Sequence, residues 1–216
     1  MQSICNWLFR AFRRLFNILH NKFDYLICRI LFYIQKVQVG KFSTRGRPYI
    51  LIAAKGKCII GNGFSMNNTI SSNPIGLTQP CIFFVDNGAT LEIRDNVGIS
   101  QASIICHTSI TIGNHVKIGG GVCIYDTDFH SLDPALRKDR KFDFANKKKK
   151  PVIIKDNAFI GAHSIILKGV IIGENSVVGA GSVVTKNIPD NEIWAGNPAC
   201  KVRELIISTD NDPQYR

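Results

Sequence analysis

Branched aliphatic residues recur every six positions late in the chain: Ile154, Ile160, Ile166, Ile172, Val178 and Val184. Small or medium side chains stand four places after the first five of them, at Ala158, Ser164, Val170, Ser176 and Ser182. Gly161, Gly173 and Gly179 directly follow three of the leading positions. A period of six fits neither an amphipathic helix nor a simple alternating strand. It fits a parallel β-helix in which six residues give one short strand and one turn. The leading side chain then points into the coil, and Gly or Asn supplies corner conformations that most residues resist.

Upstream the register is looser. Ile112-Gly113, Ile118-Gly119 and Ile124 keep the six-residue step, and Leu91, Ile93, Val97 and Ile99 are expected to point inward. Ile105 is expected to continue that register, with one extra residue before Ile112. Ile124 and Ile154 are thirty residues apart, a multiple of six, so the coil is expected to resume in phase after an excursion. That excursion, Asp126 to Pro151, is polar and aperiodic, and a loop of its length inside a compact repeat is usually functional or disordered. Residues 71–80, SSNPIGLTQP, read as a second loop leaving the coil.

At the other end, Trp7, Leu8, Ala11, Leu15, Ile18 and Leu19 fall at helical spacing with Arg10, Arg13 and Arg14 between them, which predicts one or two amphipathic helices within residues 1–37. No run approaches the ~20 apolar residues of a membrane span. The expected organisation is a basic amphipathic helical segment over 1–47, a β-helix over 48–189 carrying the loop 126–151, and a C-terminal cap and tail over 190–216.

Charge sharpens the picture at two places. Of the formal net charge of +11, residues 1–47 contribute Arg10, Arg13, Arg14, Lys22, Arg29, Lys36, Lys41, Arg45 and Arg47 against Asp24 alone. A second basic run, from Arg137 to Lys150, ends in four lysines. A helix with a basic face suits either anionic lipid head groups or packing on protein. Seven widely spaced cysteines without a CxxC pair read as reduced, which favours the cytoplasm.

Three stretches taken together carry a resemblance: IGGGVCIYDTDFHSLDP at 118–134, DNAFIGAHSIILKGVIIG at 156–173, and GAGSVVTKNIPDNEIWAGNPACKVREL at 179–205. In this order they resemble the hexapeptide-repeat O-acetyltransferases, among them the galactoside, maltose and capsular-polysaccharide enzymes. The resemblance implies a mainly β fold, a left-handed parallel β-helix, assembled as a homotrimer with active sites between subunits. It implies acetyl transfer from acetyl-CoA to a hydroxyl of a sugar or glycan, with no metal required and no nucleic-acid partner. His130 would be the catalytic general base, and an imidazole is the side chain whose ordinary titration suits that task near neutral pH.

The same resemblance places the donor against Phe159, Gly161, Ala162, Gly179, Ala180, Thr185, Lys186 and Arg203, with Lys186 and Arg203 pairing with CoA phosphates. Ser100, Gln101, Asp128 and Asp133 are the acceptor-binding candidates, whereas capping is the simpler role for Asp126. The chain departs from the pattern with Phe159 for a tryptophan, Ser100 and Gln101 for an asparagine, and Cys200 in a basic slot. The alternatives are an N-acetyltransferase acting on an amino sugar, and a non-catalytic trimeric scaffold. A metal-dependent hydratase with zinc at His107, His115 and His163 is a weaker third, since their spacing does not reproduce the three-histidine motif of the related β-helix carbonic anhydrases.

Overall fold

A computed structural model describes the backbone of residues 2–206 and, except at 2–4 and 15, their side chains. The expected tail therefore lies partly outside the described residues. One long helix, α1 (Gln2–Ile34), precedes a triangular prism of short parallel strands. The chain visits three sheets in strict rotation, and each sheet forms one face. The first face stacks Gln38–Val39, Lys57–Ile60, Thr90–Ile93, Ser109–Ile112, Val152–Ile154 and Ile171–Ile172. The second begins Phe42–Arg45, Phe64–Asn67 and Gly98–Ser100, then continues with Lys117–Ile118, Phe159–Ile160 and Val177–Val178. The third holds Tyr49–Ile52, Ile82–Val85, Ser103–Cys106, Cys123–Tyr125, Ile165–Ile166 and Val183–Val184. This is the hexapeptide β-helix expected from the period of six, left-handed as the resemblance implied.

The hexad pattern is realised residue by residue. Ile112, Ile154 and Ile172 stack in register on the first face, Ile118, Ile160 and Val178 on the second, Ile124, Ile166 and Val184 on the third. All of these are buried, as are Ala158, Ser164, Val170, Ser176 and Ser182. The hydroxyls among them stay satisfied: Ser164 and Ser182 each donate to the Gly179 carbonyl, and Ser176 to that of Pro189. The corner glycine at 161 is required sterically, because a Cβ there would lie 2.5 Å from the Ala180 amide nitrogen one coil on.

Two expectations need correction. Ile104 and Cys106, not Ile105, face inward. The corner at Gln101 is one residue shorter than its counterpart at Gly121, and the strand that follows is longer, so the side chains change sides. The helical segment also ends earlier than 47: α1 stops at Ile34 and the first coil starts at Gln38. A single helix replaces the alternative of two. The coil does resume in phase after the excursion, since Ile154 pairs with Ile112.

The ends of the prism are plugged. At the start, Cys28 and Phe32 of α1 enter the core, Phe32 meets Phe42 edge-on at 5.1 Å, and Gln35 accepts the Ile52 N–H at 2.9 Å. Asp24, fully buried, accepts the Gly46 N–H and faces Arg47 at 3.2 Å. At the far end the antiparallel pair Glu192–Gly196 and Ala199–Glu204 lays Trp194 beside Val178 over the last coil. Cys58 and Cys81 are buried thiols whose pKa is pushed up to about 12 by burial, so they behave as small apolar groups.

Truncating one stacked residue, Ile160→Ala, is expected to cost about 2–5 kcal/mol because neighbours held by the coil cannot close the gap. Urea unfolding of the variant measures this, and a loss below about 1 kcal/mol would contradict the rigid-column description.

Candidate active site

The excursion leaves the prism after Cys123–Tyr125 on the third face and rejoins at Val152–Ile154 on the first. It therefore stands on the edge between those two faces. Asp126 fastens its start: the buried carboxylate accepts the N–H groups of His107, Thr108 and Ser109 at 2.7, 2.7 and 2.8 Å. A carboxylate with three amide donors is a structural latch, as its capping role implied. The loop is not irregular throughout, for it contains two short helices, α2 (Pro134–Arg137) and α3 (Arg140–Asn146). Asp133 caps α2 by accepting the Ala135 N–H, and Asp139 caps α3 by accepting those of Lys141 and Phe142.

His130 lies between latch and helices, its side chain 69% exposed. Its Nδ1 is 2.7 Å from Asp143 Oδ2 on α3, while Asp143 Oδ1 accepts the Ser131 N–H at 2.6 Å. Both carboxylate oxygens are thus engaged, and the ring orientation is set. A carboxylate against Nδ1 assigns the proton to Nδ1 and leaves Nε2 a free, outward lone pair. The His130 bond, followed by that from Ser131, holds the Asp143 carboxyl below its ordinary range. Asp143 was not among the residues expected from the sequence. It sits thirteen positions away in an aperiodic stretch, and only its place on a capped helix could have drawn attention to it.

A second cluster braces the loop from beneath. His107 Nδ1 lies 2.7 Å from Asp86 Oδ2 and 3.2 Å from Lys147 Nζ, and the ring packs between Phe84 and Phe129. Burial pushes the Asp86 carboxyl up, but the Asn87 amide and His107 outweigh it and leave the pKa lowered. Burial lowers that of Lys147. Lys168, one coil on, pairs with Asp128 at 2.5 Å. Asp133 is thus engaged as a helix cap within the loop, while Asp128 holds Lys168 through Oδ1 and leaves Oδ2 buried without a hydrogen-bond partner. Of the four lysines at 147–150, Lys147 is buried and the rest are exposed. No three of the described His, Cys, Asp and Glu side chains converge as a metal-binding group.

The other expected residues divide between edges. Thr185 and Lys186 follow Val183–Val184 and stand, exposed, on the same edge as the excursion. Gly161, Ala162, Gly179 and Ala180 occupy the edge between the second and third faces, stacked so that the Gly181 N–H donates to the Ala162 carbonyl at 2.8 Å. Exposed Phe159 and half-buried Ser100 line a groove of about 250 Å³ on the second face with Ser65, Asn67, Lys117 and Gly119. Ser100 accepts from Asn67 at 3.1 Å. No residue of the excursion lines that groove. Gln101 does not face it either: its side chain is buried, donating to the Leu77 carbonyl at 2.8 Å beneath the 71–80 loop. That corrects its assignment as an acceptor ligand, because a φ of +45° at the shortened corner turns it inward. Arg203, exposed in the last strand, lies at the end of the second face.

These features define a hexapeptide β-helix that carries a histidine–carboxylate pair on an edge loop. Residues 151–186 match the family model described as the hexapeptide repeat of succinyl-transferase. The chain is 44% identical over 108 residues to a galactoside O-acetyltransferase of Lactococcus lactis, covering 50% of this chain and 49% of the relative. It thus spans about half the length of that curated relative. A galactoside acetyltransferase solved with coenzyme A superposes with a TM-score of 0.50 at 27% identity, over 79% of this chain and 64% of the other. AntD, an N-acyltransferase from Bacillus cereus solved with dTDP-4-amino-4,6-dideoxyglucose and coenzyme A, has a TM-score of 0.63 at 21% identity. That likeness covers 83% of this chain and 89% of AntD, and it speaks for the fold. The chain is related to the hexapeptide-repeat acetyltransferases, as its motifs implied.

A depressed carboxyl pKa contributes stability above the unfolded value of ~3.9 and loses it as the pH falls through the folded value. The His130–Asp143 contact is accordingly expected to hold through neutral pH and to open only in acid. Nitrogen NMR of the imidazole at pH values above its titration should show the Nδ1–H tautomer, and an Nε2–H tautomer there would refute the assignment.

Proposed function

We propose that this protein is an acetyl-CoA-dependent O-acetyltransferase acting on a hydroxyl of a sugar or glycan intermediate, with His130 as general base. The observation that carries the reading is the His130–Asp143 pair, in which the carboxylate engages Nδ1 at 2.7 Å and leaves the Nε2 edge of an exposed ring for an acceptor. In the proposed step Nε2 takes the proton of the acceptor hydroxyl while its oxygen attacks the thioester carbonyl. The resulting oxyanion is met by a backbone N–H, and its collapse breaks the carbon–sulfur bond. The proton held on His130 passes to the departing CoA sulfur. The thioester is already activated, so no acyl-enzyme is needed.

The division of residues between two edges supports a site shared by subunits of a homotrimer. The third face separates those edges by strands of up to four residues, about 13 Å at ~3.3 Å per residue. A neighbour's second face and adjoining edge, with Phe159, Gly161, Ala162, Gly179 and Ala180, would complete the site opposite His130, Thr185 and Lys186. Arg203 and Lys186 remain the proposed phosphate contacts, and Ser100 the proposed acceptor contact. We place the enzyme in the cytoplasm, where thiols stay reduced, and at the inner face of the membrane.

His130→Ala is expected to lower thiol release from acetyl-CoA by about 10²–10⁴-fold with a hydroxyl sugar acceptor, while melting temperature and subunit number stay unchanged. A variant that keeps full activity would remove His130 from the mechanism. A preparation that acetylates only amino-sugar analogues would replace the O-transfer reading with N-transfer.

A further inference from the structure

We propose that α1 lies in the plane of an anionic lipid surface, with its apolar stripe immersed and the β-helix held beside the head groups. The argument starts from which side of the helix is used. Asp24, Cys28 and Phe32 are buried on the first coils, and Gln35 just beyond the helix continues the same row at three- and four-residue steps. At about 100° per residue, Leu26 and Ile30 lie roughly 160–200° around the helix from Cys28. They are exposed, and so are Leu8, Phe12, Leu19, Phe23 and Tyr33 on the same side. Phe12 is 69% and Leu19 60% exposed, so neither packs on its own chain. The face that would ordinarily bury α1 against its own protein therefore points away from it, along a helix of 33 residues.

Charge selects the occupant. Within α1 the cationic residues are Arg10, Arg13, Arg14, Lys22 and Arg29, and the single acid, Asp24, is buried and engaged with Gly46 and Arg47. Lys22 and Arg29 flank the stripe on one side, Arg13 and His20 on the other, the placement from which long side chains reach phosphate head groups. No described helix is long and apolar enough to cross a membrane, which fits a helix lying on the surface. Phe9, Phe12, Phe16, Leu19, Phe23, Leu26, Ile30 and Tyr33 do follow the three-and-four spacing of a self-paired coil. Such a seam would offer the cationic flanks no acidic partner, since the one acid of α1 is buried, whereas anionic head groups supply one.

The test uses the full chain with two kinds of vesicle, neutral phosphatidylcholine alone and phosphatidylcholine with a third phosphatidylglycerol. The protein is expected to float with the anionic vesicles only. Arg13→Gln/Lys22→Gln/Arg29→Gln, or high salt, should lower partitioning by more than about tenfold. Phe12→Glu/Leu19→Glu should abolish flotation with circular dichroism unchanged. The proposal is overturned if the parent stays with neither vesicle, or if the Phe12→Glu/Leu19→Glu protein floats equally. It is also overturned if that variant changes the subunit number in lipid-free buffer, which would show the stripe buried between copies. Failure here is distinct from failure of the acyl-transfer reading, since His130→Ala is expected to float like the parent.

Discussion

One contact is repeated through the whole molecule: an aliphatic side chain stacked on its counterpart in the coil above. Parallel strands run about 4.8 Å apart, a spacing at which β-branched side chains in the same rotamer fill the interval between them. The stack Ile118–Ile160–Val178 shows the consequence, since each residue is buried by copies of itself rather than by a distant element. In the early coils larger side chains join the columns, with Phe64 and Phe83 meeting edge-on in the interior. The edges are then the places where extra chain can leave without disturbing the columns. Both long insertions, 71–80 and 126–151, leave at edges, one between the second and third faces and the other between the third and first.

The regular part was legible because side-chain direction and coil period agree there. From Phe159 to Val184 each two-residue strand points one aliphatic inward, so the pattern can be read without alternatives. Before Ile112 most strands lengthen to four residues and several carry two inward positions, as at Leu91 and Ile93. Period six and period two then overlap, and one missing corner residue at Gln101 is enough to exchange Ile104 for Ile105. The first coil was missed for a different reason. Gln38–Val39 and Phe42–Arg45 are short and flanked by Lys36, Lys41 and Arg47, so their charge resembles that of the helix before them.

The candidate base was visible and its partner was not. His130 stands in a motif, whereas Asp143 belongs to a helix of seven residues whose position depends on contacts far from it in sequence. Those contacts are the Asp126 latch and the Asp86–His107–Lys147 cluster. Lys147 connects the two levels directly, because its N–H caps α3 on the Asp143 carbonyl while its ammonium reaches His107. A polar stretch is thereby held by side chains from three coils, which no local pattern announces.

An exposed imidazole raises a physical question about where catalysis would come from. A base in water gains nothing from fixed dipoles, because solvent screens them and reorganises at each step. The His130–Asp143 pair supplies tautomer and direction, but the side chain remains 69% exposed in the single chain. What is missing is a wall that excludes water on the Nε2 side. On the reading proposed above, the neighbouring subunit provides it, and binding of the donor between two edges both desolvates the ring and brings the thioester to it. Assembly would then be part of the chemistry, since neither edge alone holds base and donor together.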